Sequence, residues 1–395
     1  MTRKLYLDDP YRTTFEGRIA RRVETPDGPA VVLEETYFYP ESGGQPHDLG
    51  TIDGISVRRI EEQGEDVFHI LTEMPDRDRV VCVVDGKRRR DHMQQHSGQH
   101  ILSAAFLQVA GAPTLSFHLG SATSTIDLDA SVLAEEVLQA AEHQANLAVR
   151  NATAIRSYFV QPGEAARLEL RKTPDVEGTL RVVEVEGVDR QACCGTHPRN
   201  AAEVGPILIR GAERLKNGTR VEFVCGDRAL GDYHVSIQRL RALSRALSAS
   251  PEALVEAATH LVEEKTSLRK SLLSLREEII QHRARQLAEG AVRSSVIVQQ
   301  VADVTPGELR QLGIYLTQEP GRVACLGCTA DQRAHLVFAR SADVTRDMAD
   351  LLRHSLGAVD GQGGGSVHIA QGGGPRVEGL PEALQLARRV LEEKL

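Results

Sequence analysis

The chain has 395 residues, which is too many for one ordinary hydrophobic core, so two or three domains are expected. Hydrophobic residues make up 41% and charged residues 26%, as in soluble globular proteins, and no apolar run is long enough to suggest a membrane span. The net charge of −8 argues against nucleic-acid binding over the whole surface, but it leaves room for a local basic patch.

The sequence also predicts a cytoplasmic location. Residues 1–6 lack the apolar stretch of a secretory signal. Six cysteines in a chain of this size fit reduced thiols better than a disulfide framework.

Residues 1–90 predict a small β-barrel or sandwich. Short apolar or alternating runs recur between Gly, Pro and Asp turn signals, at 15–20, 30–34, 54–60 and 79–84. An irregular loop at 38–46, Phe-Tyr-Pro-Glu-Ser-Gly-Gly-Gln-Pro, separates the second run from the third. Its two glycines and two prolines suit either a tight connection or a backbone that approaches a ligand closely.

The next segment, 91–110, predicts a helix with histidines on one face. His92, His96 and His100 are four residues apart, and a distant motif at 193–197, Cys-Cys-Gly-Thr-His, repeats that spacing between its ends. Histidine and cysteine are preferred zinc ligands. The two half-sites are therefore expected to meet in the fold and to hold one metal ion.

Spacing alone leaves two choices open at this site. It does not decide which of the three helix histidines form the pair, and Cys194 could compete with Cys193 for the metal. It argues against a zincin protease, because Ser97 rather than a glutamate follows His96.

The rest of the predicted metal-binding domain, 91–231, mixes strands and helices. A hairpin is predicted at 114–120 and 124–128, a helix at 130–150, and strands at 182–187, 204–210 and 220–226.

From about residue 232 to residue 290 the chain predicts long helices. Leucines recur every seven residues, at Leu240, Leu247, Leu254, Leu261, Leu268 and Leu275. Ser250-Pro251 divides the run, because Ser is a helix N-cap and Pro suits the first helical position. The second helix, 251–288, fits an intramolecular helical hairpin or a coiled-coil dimer, although Lys265 interrupts the apolar row.

Residues 291–395 alternate strand and helix and predict a small α/β domain. Strands are expected at 294–301, 322–326 and 335–339, and helices at 306–316, 344–356 and 381–395. The glycine-rich segment 361–375 is too dense in glycine for a packed element and predicts a backbone cradle for phosphate or RNA. It is not a Walker loop, because no Gly-Lys-Ser/Thr follows.

Four segments resemble motifs of one known family in order and spacing. His96-Ser97-Gly98-Gln99-His100 and the 193–197 motif resemble the paired zinc motifs of the alanyl-tRNA synthetase editing domain. Residues 39–46 resemble the glycine-rich loop of the free-standing alanyl-tRNA editing proteins, the AlaX family. Residues 363–374 resemble the DHH-associated domain of alanyl-tRNA synthetases and long AlaX proteins. There is no room for a class II aminoacylation core before Thr36, so a trans-editing factor is expected rather than a synthetase.

The resemblance implies a set of site residues. The implied zinc ligands are His96, His100, Cys193 and His197, which selects His96 over His92. The implied substrate contacts are Thr114, Ser116, Gly43, Gly44 and Gln45, and the candidates for catalysis or water orientation are Gln99, Thr196 and His118. The expected tRNA contacts are Arg88, Arg89, Arg90, Gly363, Gly364, Gly365, Gln371, Gly372 and Gly373.

Two residues depart from the family pattern. Ser42 replaces a glycine of the loop, and Ser tolerates positive φ poorly, so the loop backbone is expected to be restricted there. Cys194 replaces the first glycine of Cys-Gly-Gly-Thr-His, which leaves two adjacent sulfurs for one ligand position.

The expected molecule is thus an α+β, multidomain, zinc-dependent hydrolase. It would remove serine or glycine from the 3′-terminal adenosine of alanine tRNA, with mischarged tRNA(Ala) as partner and a homodimer formed through the helical and C-terminal domains. The zinc would either activate water or hold the ester. The alternative is a zinc-stabilised tRNA-binding module without hydrolytic activity.

Overall fold

The structure is a computed structural model that describes residues 1–165, 167–171, 178–290 and 295–393. It divides into two compact units, Met1–Leu243 and Ser244–Leu395. Both units mix helices and sheets, which confirms the predicted α+β, multidomain architecture.

The first unit begins with a β domain. Its strands are β1 (Arg3–Lys4), β2 (Thr14–Thr25), β3 (Gly28–Leu33), β4 (Glu35–Thr36), β5 (Gly50–Ile52), β6 (Ile55–Gln63), β7 (Asp66–Leu71) and β8 (Arg79–Val84). Six of them pair in the order β2-β3-β7-β6-β5-β8 and close on themselves as a barrel. Alternation explains the barrel core: in β8 the side chains of Val80, Cys82 and Val84 are buried and those between them are exposed.

Helix α1 (Gly86–Ala110) follows the barrel directly. It starts five residues before the predicted position, because the carboxylate of Asp85 accepts hydrogen bonds from the backbone N–H groups of Lys87 and Arg88 and caps the first turn. It ends at Gly111, whose φ of 60° allows its N–H to reach the carbonyl oxygen of Leu107.

Two sheets and a second helix surround α1. The elements are β9 (Thr114–Leu119), β10 (Ser124–Leu128), α2 (Glu135–Arg150), β11 (Ile155–Val160), α3 (Pro162–Ala165), β12 (Leu180–Val185), β13 (Asp189–Ala192), β14 (Ile207–Leu215), β15 (Gly218–Cys225) and α4 (Gly226–Leu247). One sheet has the order β14-β15-β10-β9 and the other β11-β12-β13. The predicted hairpin of β9 and β10 is confirmed by their antiparallel pairing. Ile101, Phe106, Ile126 and Phe223 are buried together where α1 and α2 cover the first sheet.

In the second unit, a long helix precedes an α/β sheet. The elements are α5 (Leu254–Gly290), β16 (Val296–Gln300), α6 (Pro306–Leu316), β17 (Val323–Ala330), β18 (Arg333–Arg340), α7 (Met348–Leu356), β19 (Gln362–Gly365), β20 (Ile369–Gly374) and α8 (Leu380–Glu392). The sheet order is β16-β17-β18-β20-β19. The predicted break at Ser250-Pro251 is confirmed, because α4 ends at Leu247 and α5 starts at Leu254. Ser294, Lys394 and Leu395, which the predicted elements included, lie outside the described residues.

The glycine-rich segment corrects one prediction. It was expected to be too rich in glycine for a regular element, yet it forms β19 and β20, which pair in antiparallel register. The glycines allow these strands to approach closely: a Cβ on Gly363 would lie 2.5 Å from the Cα of Gly372. Glycine here permits tight pairing of two backbones rather than an open loop.

No helix among the described residues is both long enough and apolar enough to cross a membrane.

Candidate metal centre

Four side chains from two distant parts of the chain meet in the first unit. His96 and His100 come from α1, and Cys193 and His197 come from the loop after β13. Their potential ligand atoms all lie within 4.8 Å of one another. The sulfur of Cys193 is 3.5 Å from Nε2 of His96 and 3.3 Å from Nε2 of His197. Nitrogen and sulfur ligands of a tetrahedral zinc ion are separated by roughly 3.5 Å, so the spacing suits this metal.

Helix α1 is held firmly against the sheet on the side away from its histidines. A Cβ on Gly98 would lie only 2.2 Å from the sulfur of Cys225 in β15, so the helix packs against this strand at its closest point. Gln95 reaches the same strand: its amide donates to the carbonyl oxygen of Cys225 and accepts from its N–H, both at 2.9 Å. These contacts fix the direction in which the histidine face points.

Each imidazole of the cluster is also fixed through its Nδ1 atom. The pairs are His96 with Oε1 of Gln45 at 2.8 Å, His100 with Oδ2 of Asp189 at 3.0 Å, and His197 with Oγ of Ser97 at 2.8 Å. Because an amide oxygen and a carboxylate only accept, Nδ1 of His96 and of His100 carries the proton and Nε2 is free to bind a metal. Such oxygen partners on the second ring nitrogen are typical of metal-binding histidines.

The loop after β13 presents Cys193, and not Cys194, to the histidines. Cys193 is half-buried within the cluster, whereas Cys194 is exposed and outside it. A Cβ on Gly195 would lie 2.3 Å from Cε1 of His96, so this second glycine position cannot carry a side chain. The position of Cys194 faces away, which explains why a side chain is tolerated there.

A buried arginine holds this loop in place. Arg181 of β12 donates from Nη1 to the carbonyl oxygens of Cys193, at 2.9 Å, and Gly195, at 3.0 Å. Burial lowers the pKa of Arg181, while the nearby Cys193 sulfur opposes that shift. The guanidinium therefore adds a fixed positive charge beside the sulfur ligand.

The electrostatics of the cluster favour a thiolate. Burial raises the pKa of the Cys193 thiol, but the positive potentials of His96 and His197 and a hydrogen bond with His100 outweigh it, so the pKa lies well below its usual range. Burial is the largest single influence on the pKa of His100 and lowers it, but the hydrogen bonds and charges of Asp189 and Cys193 together outweigh burial and raise the pKa to about 9. Burial lowers the pKa of His197 to about 3.

The donor chemistry and the support of each ring therefore fit a zinc ion. His92, which spacing could not exclude, lies outside the cluster, and burial lowers its pKa to about 4.

The glycine-rich loop lies against this cluster. Gly43 and Gly44 have φ values of 53° and 79°, and a Cβ on Gly44 would meet the Phe117 ring at 2.6 Å. The Phe117 ring is in turn 5.7 Å from the His96 ring, measured between centroids. Ser42 is not among the residues with positive φ, so the expectation that it restricts the loop is wrong: the left-handed conformations fall on the two glycines.

Gln45 and Thr196 support the metal cluster. Besides contacting His96, the Gln45 amide donates to Oγ1 of Thr196 at 2.8 Å and accepts from its N–H at 3.1 Å. Gln45 is fully buried, and both ends of its amide are occupied. Its predicted role as a direct substrate contact is therefore corrected to that of a positioning residue. Thr196 is buried and held by the same amide, and Gln99 is buried on α1 beside Ser103.

A β-bulge separates the residues predicted on β9. Thr114 pairs with Leu128 and Ser116 pairs with Asp127, so Leu115 is the extra residue. Thr114 consequently lies on the inner face with Leu128 and Phe117, while Ser116 and His118 lie on the outer face. Ser116 hydrogen-bonds there to Asp127, which pairs with Arg220. Ser116, predicted as a substrate contact, and His118, predicted as a candidate for catalysis, therefore lie on the face of β9 opposite Phe117.

The basic run before the histidines is only partly available to a ligand. Arg89 is 2% exposed, pairs with the carboxylate of Asp48 and donates to the carbonyl oxygens of Pro10 and Tyr37. Its predicted contact with tRNA is therefore wrong, because it joins α1 to the barrel. Lys87 and Arg90 are exposed and Arg88 is half-buried. In the second unit, Gly363, Gly364, Gly365 and Gln371 are exposed, and Gly372 and Gly373 are partly so.

The sequence did not predict three residues that position the cluster: Ser97, Arg181 and Asp189. Ser97 lies inside the first zinc motif and was the easiest to find. Asp189 and Arg181 gave no signal, because their role depends on how β12 and β13 pair beside the loop.

Two family models match the chain. Residues 180–222 match the second additional domain of threonyl and alanyl tRNA synthetases, tRNA_SAD. Residues 293–393 match the DHHA1 domain.

Several curated relatives are similar to the chain. The alanyl-tRNA editing protein Aarsd1-A of Xenopus laevis is 38% identical over 59% of this chain and 58% of its own length. Aarsd1 of Mus musculus is 39% identical over 58% of this chain and 56% of its own length. The alanine–tRNA ligase of Methanopyrus kandleri is 30% identical over 96% of this chain and 44% of its own length. The chain thus spans about half the length of the curated relatives it matches.

Among solved structures, the C-Ala domain of Aquifex aeolicus alanyl-tRNA synthetase is 25% identical over 24% of this chain and 89% of that domain. The TM-score is 0.23. The sequence relatives and the two matched domains confirm the resemblance predicted from the motifs. The chain is a homologue of the alanyl-tRNA editing proteins.

Proposed function

We propose that the protein is a trans-editing deacylase with zinc as its cofactor. It hydrolyses the ester between a wrongly attached amino acid and the 3′-terminal adenosine of alanine tRNA. One observation carries this proposal: three imidazoles, each tied at Nδ1, converge with the Cys193 sulfur. The printed names of the relatives, alanyl-tRNA editing protein, supply the reaction class.

His96, His100, Cys193 and His197 would hold the metal. A bound zinc ion supplies Lewis acidity, which either polarises an ester carbonyl or lowers the pKa of a water molecule. The protein itself orients the ligand rings and excludes solvent from their inner side. The Gly43–Gly44 backbone and the Phe117 ring border the cluster, where they can bind the aminoacyl end of the tRNA.

The tRNA would be bound electrostatically by Lys87, Arg88 and Arg90, in the first turns of α1. The exposed edge strand β19 in the second unit would contact it through uncharged backbone groups. We further propose that residues 1–90 and 91–231 act together in editing, and that residues 291–395 bind tRNA. We also propose a homodimer through the helical segment 232–290. All six cysteines are free, which is consistent with a reducing, cytoplasmic setting.

One observation favours a second candidate, a zinc-stabilised tRNA-binding module without hydrolysis. Structural zinc sites have four protein ligands, whereas catalytic sites usually keep one position open. Four ligand side chains are available in this cluster. In that case the metal would only stabilise the fold around the tRNA-binding surface.

The test is deacylation of tRNA(Ala) charged with serine, glycine or alanine, before and after removal of the metal with a chelator. The proposal predicts rapid release of serine or glycine, slow release of alanine, and recovery of activity when zinc is added back. If the metal-loaded protein binds these tRNAs but releases no amino acid faster than the spontaneous rate, the binding module is the correct assignment.

A further inference from the structure

The face of α1 that carries His96 continues toward the start of the helix. His92 precedes His96 by four residues and Arg88 precedes His92 by four, so the three side chains follow one another along this face. Each step of four residues advances about 6 Å along the helix axis. A ligand that lies along this face therefore meets Arg88 and His92 on its way to the candidate metal centre.

Two other segments meet α1 at this part of the helix. Arg88 donates from Nε to the carbonyl oxygen of His47, the residue that follows the glycine-rich loop, at 3.0 Å. Arg228 donates to the carbonyl oxygen of Gly120, at the end of β9, at 2.7 Å. The same guanidinium binds the Asp91 carboxylate of α1 at 2.6 and 2.7 Å. The glycine-rich loop and β9 therefore border this stretch of α1 as well as the metal cluster.

His92 carries an unused hydrogen-bonding group here. Its side chain is 4% exposed, and its Nδ1 atom is buried without a hydrogen-bond partner among the residues that the structure describes. Nδ1 of His47 is also buried and unpaired, and the nearby Glu41 carboxylate is 3.8 Å away and largely exposed to water. Buried nitrogens are nearly always paired, so the unpaired Nδ1 of His92 indicates a place for a ligand acceptor.

The charge around His92 favours an anion. The pKa of His92 is lowered to about 4, first by burial and next by the positive charge of Arg88. Arg88 forms no ion pair with any residue that the structure describes, whereas the nearby Arg89 and Arg228 are each paired with an aspartate. One uncompensated positive charge therefore lies beside the unpaired imidazole nitrogen.

The terminal nucleotide of a tRNA places an anion at a matching distance. Its esterified 3′-oxygen and its 5′-phosphate are separated by five backbone bonds, a span close to the rise of about 6 Å between His92 and His96. With the ester at the candidate metal centre, the phosphate can lie beside His92. A neutral imidazole can donate from Nδ1 to a phosphate oxygen, and a guanidinium adds charge-assisted hydrogen bonds.

We propose that His92 and Arg88 bind the phosphate that joins the last two nucleotides of the tRNA, and thereby hold the ester at the metal centre. This inference rests on the proposed function and deepens it by adding a phosphate subsite. His92, which the spacing left as a possible metal ligand, contacts the substrate instead.

The test combines one change in the substrate with one change in the protein. In seryl-tRNA(Ala) the last phosphodiester is replaced by an uncharged methylphosphonate, and His92→Leu removes both ring nitrogens. Each change alone is expected to lower kcat/KM roughly 10- to 100-fold, because it removes a hydrogen bond to a charged group. The two changes together should cost no more than the larger single loss, because they remove the same contact. The dissociation constant of an amide-linked, non-hydrolysable analogue should follow the same pattern.

Three controls accompany the test. His143→Leu makes the same change at an exposed position of α2 and should leave kcat/KM within about threefold. A methylphosphonate one linkage earlier in the tRNA should also have an effect within about threefold. His92→Asn, whose amide can donate from a position close to that of Nδ1, should recover most of the activity. Zinc content is measured in every variant.

Additive losses from the two changes, or an equal loss from either methylphosphonate, would overturn the inference. If His92→Leu binds no zinc, the comparison of the two methylphosphonates in the wild-type protein still decides. If the wild-type protein releases no amino acid from the natural substrate, the proposed function fails and this inference fails with it. Normal wild-type turnover that is insensitive to the last phosphate overturns only the phosphate subsite.

Discussion

At the residue scale, the candidate metal centre depends on side chains that the two predicted ligand motifs do not include. The side-chain amide of Gln45 hydrogen-bonds to Nδ1 of His96 and to the hydroxyl and backbone N–H of Thr196. It therefore connects the glycine-rich loop, helix α1 and the loop after β13 next to the candidate ligand His96. Arg181 fixes the loop after β13 by donating hydrogen bonds to the carbonyl oxygens of Cys193 and Gly195. These contacts explain how a metal site can be built from segments about a hundred residues apart in sequence.

The two adjacent cysteines give the first residue-scale prediction. Cys193→Ser should lose most zinc binding, because it removes the sulfur that lies 3.3 Å from Nε2 of His197. Cys194→Ser should keep one zinc ion per chain, because its side chain is exposed and outside the cluster. Zinc content by elemental analysis, and the thiolate absorption of the cobalt-substituted protein, measure both.

Cys194→Ser is also the matched control for a general effect of removing a thiol. Loss of zinc from Cys194→Ser with retention by Cys193→Ser would show that the neighbouring sulfur is the ligand. Loss from both variants would show that zinc binding needs both thiols, which contradicts the assignment of Cys193 alone.

The residues of the site differ in how far the sequence could reveal them. The ligand set could be read from two motifs because each motif is local and has helical or turn spacing. The positions of Ser116, His118 and Arg89 could not be predicted in the same way. A bulge in β9 determines the face on which Ser116 and His118 lie, and an ion pair with Asp48 buries Arg89. Neither feature can be recognised from the residues next to these positions in the sequence.

At the scale of elements, the same distinction between local and non-local signals holds. Helix α6 was predicted at 306–316 and is observed at Pro306–Leu316, where a capping box of Thr305 and Glu308 gives a strong local signal. The glycine-rich strands β19 and β20 were missed, because glycine lowers strand propensity and only pairing with a neighbouring backbone makes them regular.

The barrel contains a buried histidine, and its lowered pKa predicts that the fold loses stability in acid. His69 of β7 is fully buried: Nδ1 donates to the carbonyl oxygen of Val31 at 3.2 Å and Nε2 accepts from the Thr36 hydroxyl at 2.9 Å. Burial lowers its pKa to about 4, below the value of 6.5 expected for an unfolded chain. The unfolded state therefore takes up the proton first as the pH falls.

The stabilisation from neutral His69 is complete above about pH 6.5 and is lost as the pH falls toward 4, by about 3 kcal/mol in all. His69→Gln, which can donate and accept at similar positions but does not titrate, should remove this part of the pH dependence. Hydrogen exchange of peptides covering β3 and β7, compared between wild type and variant at pH 7 and pH 4.5, measures it. An equal difference between the two proteins at both pH values would contradict the prediction.

At the scale of the whole molecule, α5 leaves an apolar row uncovered. Leu261, Leu268, Leu272 and Leu275 are each more than half exposed, and successive leucines of this row are seven, four and three residues apart. This is the spacing of a coiled-coil seam, in which Lys265 occupies one core position and can specify a two-stranded assembly. Glu264 and Arg269 flank the seam at positions that pair between parallel helices. A second copy of α5 is the partner that this pattern fits.

The last prediction tests that pairing. Replacing Leu268 and Leu272 by Glu should raise the dimer dissociation constant by roughly 100-fold or more, because each buried leucine contributes about 1.5–3 kcal/mol and every dimer loses both pairs. Lys270→Glu is the matched control, since it changes charge on the outer face of the same helix turn. Sedimentation equilibrium over a range of concentrations measures the mass of each protein. A wild-type chain that stays monomeric throughout, or a double variant that dimerises as well as Lys270→Glu, would contradict the coiled coil.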